Sequence, residues 1–175
     1  MISEFCLSSN LQEVSCSSDQ LSELSSEILH AGLSLRLVGK GESMRPMVRE
    51  GDLLEIQPAD PSSIHRGEIV LCLLKDGHVV IHRVVRIDRR AAGLRFLIQG
   101  DQVLEPDGWI GAYSVLGRLV ELERDGKRIS MQSEHSRLLG QLAALRLQWK
   151  LNRTGLGHWV VLTLKHLPGF LLYLG

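Results

Sequence analysis

The chain has 175 residues, of which 44% are hydrophobic, and this is enough to bury one core, so one domain with short extensions is expected. Twenty lysine and arginine residues balance twenty aspartate and glutamate residues, so no global charge draws the chain to a polyanion, and no nucleic-acid partner is expected. Three cysteines are too few for a disulfide framework, and none stands in a Cys-x-x-Cys or Cys-x-x-His pair, which argues against a structural zinc site.

The first segment, residues 1–32, is predicted to be a polar tail followed by a short helix. Residues 1–20 are rich in serine and have neither a continuous apolar core nor a positive flank, so no cleavable signal peptide is expected. Leucine and isoleucine then recur at helical spacing from Leu21 to Leu29, and Gly32 follows as a stop signal. This pattern predicts an amphipathic helix over residues 19–30 that docks on the core.

The second segment, residues 33–132, has the patterns of a β domain. Short apolar or alternating runs, each bounded by glycine, proline or aspartate, predict six or seven strands. These runs cover residues 33–38, 53–57, 69–74, 79–87, 94–99, 114–123 and 128–131. Strands and helices do not alternate, so we predict a mainly β fold with a coiled or barrel-like sheet and not a doubly wound one.

The third segment, residues 133–175, is predicted to be a basic and apolar C-terminal tail. One helical stripe of large apolar side chains has basic residues around it and consists of Leu138, Leu142, Leu145 and Trp149. Residues 156–174 are very apolar, but lysine, histidine and proline at positions 165–168 interrupt the run, which argues against a bilayer span of about 20 apolar residues. We expect the tail to lie on a membrane surface as a peripheral or C-terminal attachment. The alternative is that it packs on the β core or on a partner protein, with the chain in the cytoplasm.

One serine stands in a loop that is suited to present its hydroxyl group. Ser43 lies two residues after Gly41 and three before Pro46, in the loop of residues 39–52. Glycine lets a backbone approach a ligand closely, and proline restricts its own φ and the residue before it. A serine is a weak nucleophile that requires a neighbouring base and donors for the developing oxyanion. Ser43 is therefore a candidate nucleophile if the chain also supplies a base.

His82 is the candidate base, and two aspartates are candidates to orient it. His82 lies on an apolar face of the strand predicted for residues 79–87, where a histidine is more often a hydrogen-bonded core residue than a catalyst. Arg83 should face the other side of that strand as a solvent or structural charge. Asp101 and Asp107 follow the next strand, and each is by itself an ordinary turn residue. Residue types alone leave both interpretations open.

Five short motifs follow one another between about residues 35 and 122. They are Gly41-Glu-Ser-Met-Arg-Pro46 with Gly51-Asp52, Arg66-Gly-Glu-Ile-Val70, Ile81-His-Arg-Val-Val85, Gly100-Asp101 with Asp107, and Leu116-Gly-Arg-Leu-Val120. In their order and intervals they resemble the catalytic domain of type I signal peptidases, of the endoplasmic-reticulum and archaeal kind in which histidine replaces the bacterial lysine. Each motif is weak alone, whereas the five in series are specific.

The resemblance implies a serine endopeptidase that cleaves a precursor, signal or leader peptide by acyl transfer. Ser43 would be the nucleophile, His82 the general base and Asp107 the carboxylate that orients His82, while Asp101 would occupy the family's other acidic position in a structural or secondary role. The backbone N–H of Ser43 would donate to the oxyanion, and Gly41 has no hydroxyl to add a second donor. The resemblance calls for neither a metal nor an organic cofactor.

Two other hypotheses stay open. The chain resembles, more weakly, the self-cleaving repressors of the same β fold, which use a lysine base and cut themselves upstream; here Ala31-Gly32 is the small-residue pair and His82 stands at the base position. The chain could also be a non-catalytic β module that binds a partner through its apolar tail. The presence of a serine, a histidine and both acids together counts against that module.

Overall fold

The structure, a computed structural model, describes residues 5–9, 12–16, 18–90 and 93–165, with side chains described for residues 20–90 and 93–152. This part of the chain contains two α-helices, α1 (Ser18–His30) and α2 (Glu134–Lys165). The strands are β1 (Phe5–Ser9), β2 (Gln12–Cys16), β3 (Leu35–Val38), β4 (Leu53–Pro58), β5 (Ile69–Leu73), β6 (Val79–Arg90), β7 (Gly93–Gln99), β8 (Gly108–Gly111), β9 (Val115–Arg124) and β10 (Lys127–Ser130). Two single turns of 3-10 helix, Pro61–Ser63 and Ala112–Ser114, precede β5 and β9.

The ten strands of the described residues form one antiparallel sheet. Its order is β2-β1-β3-β4-β9-β5-β6-β7-β8, and β10 pairs with residues 121–124 of β9, beyond the part that pairs with β5. The register shifts within the β4–β9, β5–β9 and β6–β7 pairs, and such bulges bend a strand and increase its twist. The sheet is therefore curled, and the predicted mainly β fold, with a coiled sheet, an N-terminal helix and a C-terminal helix, is confirmed.

Both faces of the central strands are buried, which explains why β5 is a continuous apolar run and not an alternating one. Ile69 and Leu71 belong to one apolar cluster, which α1 covers, whereas Val70 and Cys72 belong to a second cluster on the opposite face of the sheet. Because neighbouring side chains of a strand point to opposite faces, β6 contributes to both clusters in the same way. The position of a residue in the alternation of β6 therefore decides which of the two clusters it faces.

The structure differs from the sequence prediction at both ends of the sheet. Part of the predicted polar tail forms β1 and β2, which pair with each other, and β1 continues the sheet beside β3, with Leu7 opposite Leu37. These serine-rich strands contain few β-branched or aromatic residues, so their sequences do not predict strands. They are recognised only in the structure, where β1 pairs with the open edge of β3 and with β2. β8 likewise lies where no strand is predicted, between residues 99 and 114, because its four residues Gly-Trp-Ile-Gly are too few to show a periodicity.

Helix α2 packs on β6 and leaves the predicted apolar stripe exposed. Ala144 and Leu147 are buried, and a Cβ atom on Gly140 would lie 2.6 Å from the carbonyl oxygen of Gly67, so the two backbones touch there. The predicted stripe lies on another side of the helix, where Leu138, Leu142, Leu145 and Trp149 are 55%, 52%, 51% and 59% exposed. Among the described residues, no helix combines the length and the apolar character needed to cross a bilayer.

Replacing Gly67 with alanine should loosen the contact between α2 and the sheet. The new Cβ would lie 2.7 Å from backbone atoms of Gly140 and Gln141, and the φ of Gly67 is +93°. Gly77 is a matched control, since its φ is +86° and no atom lies within 4 Å of a Cβ there. The left-handed backbone should lower the free energy of unfolding of both variants by about 1–2 kcal/mol. Overpacking should lower that of Gly67→Ala by about 1–3 kcal/mol more. Urea unfolding of both variants measures the difference, and equal losses would show that the close contact contributes nothing.

Candidate active site

The loop that carries Ser43 is closed at its base by backbone hydrogen bonds between its two ends. The Gly39 N–H donates to the carbonyl oxygen of Asp52 at 2.7 Å, and the Gly51 N–H donates to the carbonyl oxygen of Gly39 at 2.9 Å. Inside the loop, Met44 and Val48 are buried in the cluster beneath α1, and the Val48 N–H donates to the carbonyl oxygen of Met44. The loop is thus anchored on both sides of Ser43, which itself is half-buried.

An arginine from β9 holds the same loop from the side. Arg124 donates to both carboxylate oxygens of the buried Asp52, at 2.8 and 2.6 Å, and also to the carbonyl oxygen of Met47 at 3.0 Å. The Arg49 N–H donates to Asp52 at 2.8 Å. Sequence reasoning missed this residue, because Arg124 stands more than seventy positions from Asp52 and becomes its neighbour only through the pairing of β4 with β9.

Ser43, His82 and Asp107 form one hydrogen-bonded row. The Oγ atom of Ser43 lies 3.1 Å from Nε2 of His82, and Nδ1 of His82 lies 2.6 Å from Oδ2 of Asp107. The side chains of His82 and Asp107 are only 9% and 18% exposed, so the row is largely shielded from water. A carboxylate only accepts hydrogen bonds, so Nδ1 of His82 carries the proton toward Asp107 and Nε2 is left to accept the hydroxyl proton of Ser43.

The loop of residues 100–107 brings Asp107 into this position and is tied to the serine loop. The Gln102 N–H donates to the carbonyl oxygen of Ser43 at 2.8 Å, and the Asp107 N–H donates to the carbonyl oxygen of Ile98 at 3.1 Å. The buried side chain of Gln99 spans the loop from inside and donates to the carbonyl oxygen of Val103 at 2.9 Å. The serine loop and the loop of residues 100–107, here called the acid loop, therefore hold each other in register.

Asp101 lies apart from the row, on the other side of β6. Both of its carboxylate oxygens accept hydrogen bonds from Arg83, at 2.7 and 2.6 Å, and Arg83 donates a third bond to the carbonyl oxygen of Gly67 at 2.7 Å. Arg83 is 1% exposed, so of the two roles considered for it the structure favours the structural charge. The structure thus brings Ser43, His82 and Asp107 together and places Asp101 in an ion pair with the buried Arg83.

A thiol close to the row is held in its unreactive, protonated form. Cys72 is fully buried, and its Sγ lies 3.7 Å from the carbonyl oxygen of Val80. Burial first of all, and then the negative charge of Asp107, raise the pKa of the Cys72 thiol well above its usual value. Because the thiolate is the reactive form of cysteine, Cys72 stays protonated and inert at neutral pH.

Gly100 leaves the space in which His82 and Ser43 meet. A Cβ atom there would lie 2.9 Å from the carbonyl oxygen of Ser43, 3.1 Å from Nε2 of His82 and 2.8 Å from Cγ2 of Val103. Gly100→Ala should therefore displace the imidazole and slow the labelling of Ser43 by a serine-reactive acylating probe roughly tenfold to hundredfold. Adding Val103→Ala relieves only the third contact, so the double variant should stay slow. Recovery of fast labelling in the double variant would contradict this explanation.

Comparison with known families yields one match. The family model described as Peptidase S24-like matches residues 8–96, which is just over half of the chain. The matched part contains Ser43 and His82 and ends before the loop with Asp101 and Asp107. Neither the curated proteins nor the solved structures give a significant match.

Proposed function

Because the chain belongs to the Peptidase S24-like family, we propose that it is a serine endopeptidase in which Ser43, His82 and Asp107 act together. The observation that carries the proposal is the row from Ser43 Oγ through His82 to Asp107, with distances of 3.1 and 2.6 Å. Nucleophile, base and orienting acid within hydrogen-bond reach of each other are the arrangement that serine hydrolases require.

The reaction would be acyl transfer to Ser43 followed by hydrolysis. Ser43 Oγ attacks the carbonyl carbon of the scissile peptide bond while Nε2 of His82 takes the hydroxyl proton. The resulting oxyanion would receive the backbone N–H of Ser43. When the intermediate collapses, the C–N bond breaks and His82 gives its proton to the leaving amine. His82 then takes a proton from water, the hydroxide attacks the ester, and Ser43 is released with its proton restored.

Asp107 would fix the ring of His82 in one tautomer and stabilise the imidazolium that forms in each step. Asp101 would act only on structure, since Arg83 occupies both of its oxygens. Such a positioning residue keeps the acid loop on β6 without contacting the substrate.

The substrate that we propose is a precursor, signal or leader peptide with small residues at the cut site. The support for this finer assignment is the series of motifs from Gly41 to Val120, which resembles type I signal peptidases, and the histidine at the base position. Cleavage of precursor peptides tests this assignment directly.

The test is cleavage of a panel of precursor peptides with small residues at the cut site by the purified full chain in detergent. Turnover is expected for the wild type and should vanish in Ser43→Ala and His82→Ala. Ser34→Ala is the control, since this serine is exposed and lies outside the row. Absence of turnover in the wild type, together with no acylation of Ser43 by a serine-reactive probe, would contradict the proposal and favour a non-catalytic binding module.

A second candidate function, self-cleavage, uses the same row on the chain itself. The observation in its favour is that Ala31 and Gly32, the small-residue pair upstream of Ser43, are exposed at the end of α1. Intact mass after prolonged incubation separates the two functions. Loss of residues 1–31 at a rate independent of protein concentration, and only when Ser43 is present, would indicate a self-cleaving regulator.

A further inference from the structure

Five arginines line one concave surface beside helix α2. This arginine cluster consists of Arg66, Arg86, Arg89, Arg90 and Arg95. Asp88 is the one acidic residue among the described residues that line the same surface. The whole chain carries equal numbers of basic and acidic residues, so the fold gathers here a positive charge that the composition does not reveal. A concave positive surface attracts anions.

The guanidinium groups of this cluster are only partly engaged by the protein. The side chain of Arg90 is 87% exposed and lies 3.5 Å from Asp88, to which Arg95 also donates at 2.7 Å. Arg89 reaches the carbonyl oxygen of Ser62 only at 3.4 and 3.5 Å. The cluster therefore retains donors for the oxygens of an anionic ligand.

The exposed stripe of α2 lies next to this cluster around the helix. Gln148 lines the concave surface, and Asn152 accepts a hydrogen bond from Arg86 at 2.7 Å, so this side of α2 faces the arginines. At about 100° per residue, Leu145 lies roughly 60° and Trp149 roughly 100° further around the helix from Gln148. Apolar side chains and guanidinium groups thus border each other on one surface of the molecule.

This combination points to a lipid surface as the occupant. The arginines can bind anionic headgroups, and the leucines can enter the boundary between the headgroups and the acyl chains. A nucleic acid could bind the arginines but would leave the leucines exposed to water. Trp109 strengthens the match, since it is partly exposed and stacks under Arg95 with 5.5 Å between guanidinium carbon and ring centroid, and tryptophan favours the headgroup level. The sequence continues from the stripe into the very apolar residues 156–174.

We propose that the arginine cluster and the exposed stripe of α2 together bind the surface of an anionic phospholipid bilayer. The arginines bind headgroup phosphates, and the stripe from Leu138 to Trp149 enters the boundary between headgroups and acyl chains. Each arginine near such a surface makes the free energy of binding more favourable, and the attraction weakens as the salt concentration rises. The inference does not depend on the proposed peptidase activity.

The test is co-sedimentation of the purified full chain with vesicles of phosphatidylcholine alone and of an equal mixture of phosphatidylcholine and phosphatidylglycerol. Binding should be stronger to the mixture and should weaken as salt rises. Arg89→Glu with Arg90→Glu should lower partition to the mixture at least about tenfold, since two positive charges are reversed at the surface. Lys127→Glu with Arg128→Glu is the matched control, an adjacent exposed basic pair on β10 outside the cluster, and it should bind like the wild type.

A second pair of variants tests the stripe. Leu142→Gln with Leu145→Gln should lower binding to both kinds of vesicle, while Ser43→Ala should bind like the wild type. Urea unfolding of every variant shows whether it is folded. Equal binding to the two kinds of vesicle, or equal losses in the cluster variant and its control, would overturn the proposal. The proposal would also be overturned if the chain did not bind vesicles and instead self-associated through the leucines, so that the leucine variant abolished the self-association. Preferential binding of duplex DNA to the cluster would overturn it too.

Discussion

Replacing Ser43 with alanine should lower peptide turnover by roughly four to six orders of magnitude, which is the loss seen when a serine nucleophile is removed from a hydrogen-bonded row of this kind. His82→Ala should lose about as much, because without a base the hydroxyl group stays protonated. Asp107→Asn should lose roughly 10⁴-fold, since the amide no longer selects the tautomer of His82 that leaves Nε2 free. Turnover of a cleavable precursor peptide measures all three variants.

The double variant Ser43→Ala with His82→Ala provides the sharper test of this row. If the two residues act as one unit, removing both should lower turnover no further than removing Ser43 alone. Ser34→Ala should be as active as the wild type, and urea unfolding should show that the active-site variants remain folded. If the loss of turnover in the double variant equals the product of the losses in the two single variants, Ser43 and His82 act separately. That result would contradict a joint action through the 3.1 Å contact between them.

Removing one member of the Arg83–Asp101 pair should destabilise the fold by about 3–5 kcal/mol, because the remaining charge is left buried without a partner. Arg83→Met also removes the bond to the carbonyl oxygen of Gly67, at which α2 touches the sheet. The double variant Arg83→Met with Asp101→Leu should recover much of the loss, since it leaves no buried charge. Urea unfolding of the three variants measures these free energies.

An exposed ion pair of similar length is the control for this second prediction. Arg45 and Glu42 lie 2.7 Å apart, with side chains 52% and 56% exposed. Glu42→Gln should therefore change the free energy of unfolding by no more than about 0.5–1 kcal/mol. Asp101→Asn should keep more peptidase activity per folded molecule than Asp107→Asn. The opposite order would place Asp101 in the chemistry and not in the support of its loop.

The strands of the core can be predicted from sequence because burial imposes a period on them. Residues 69–74 and 79–87 show this well, since both faces of β5 and β6 are covered and the apolar runs are long. β1 and β8 have no such signal, and they exist because an open sheet edge offers hydrogen bonds to a weak strand. Pairing of this kind depends on the rest of the fold and cannot be deduced from one segment.

The three side chains of the row can be predicted from the sequence, but the residues that hold their loops in place cannot. Ser43, His82 and Asp107 stand in motifs of recognisable spacing, whereas two aspartates six positions apart in one loop look alike until the sheet shows which one Arg83 binds. Arg124 had no signal at all, because an arginine at the end of a strand is an ordinary surface residue until β9 pairs with β4. The same holds for the arginine cluster, whose members come from the segment before β5 and from β6 and β7.

The position of β9 has a consequence for the order in which the molecule forms. β9 is late in the chain, but it lies between β4 and β5, which precede it by some sixty and forty residues. Contacts of such sequence separation form slowly, because the loop between them must close first. Until β9 is in place, Arg124 cannot hold Asp52, and the serine loop lacks its lateral support. A newly made chain therefore acquires the geometry of the serine loop only when nearly the whole sheet has folded.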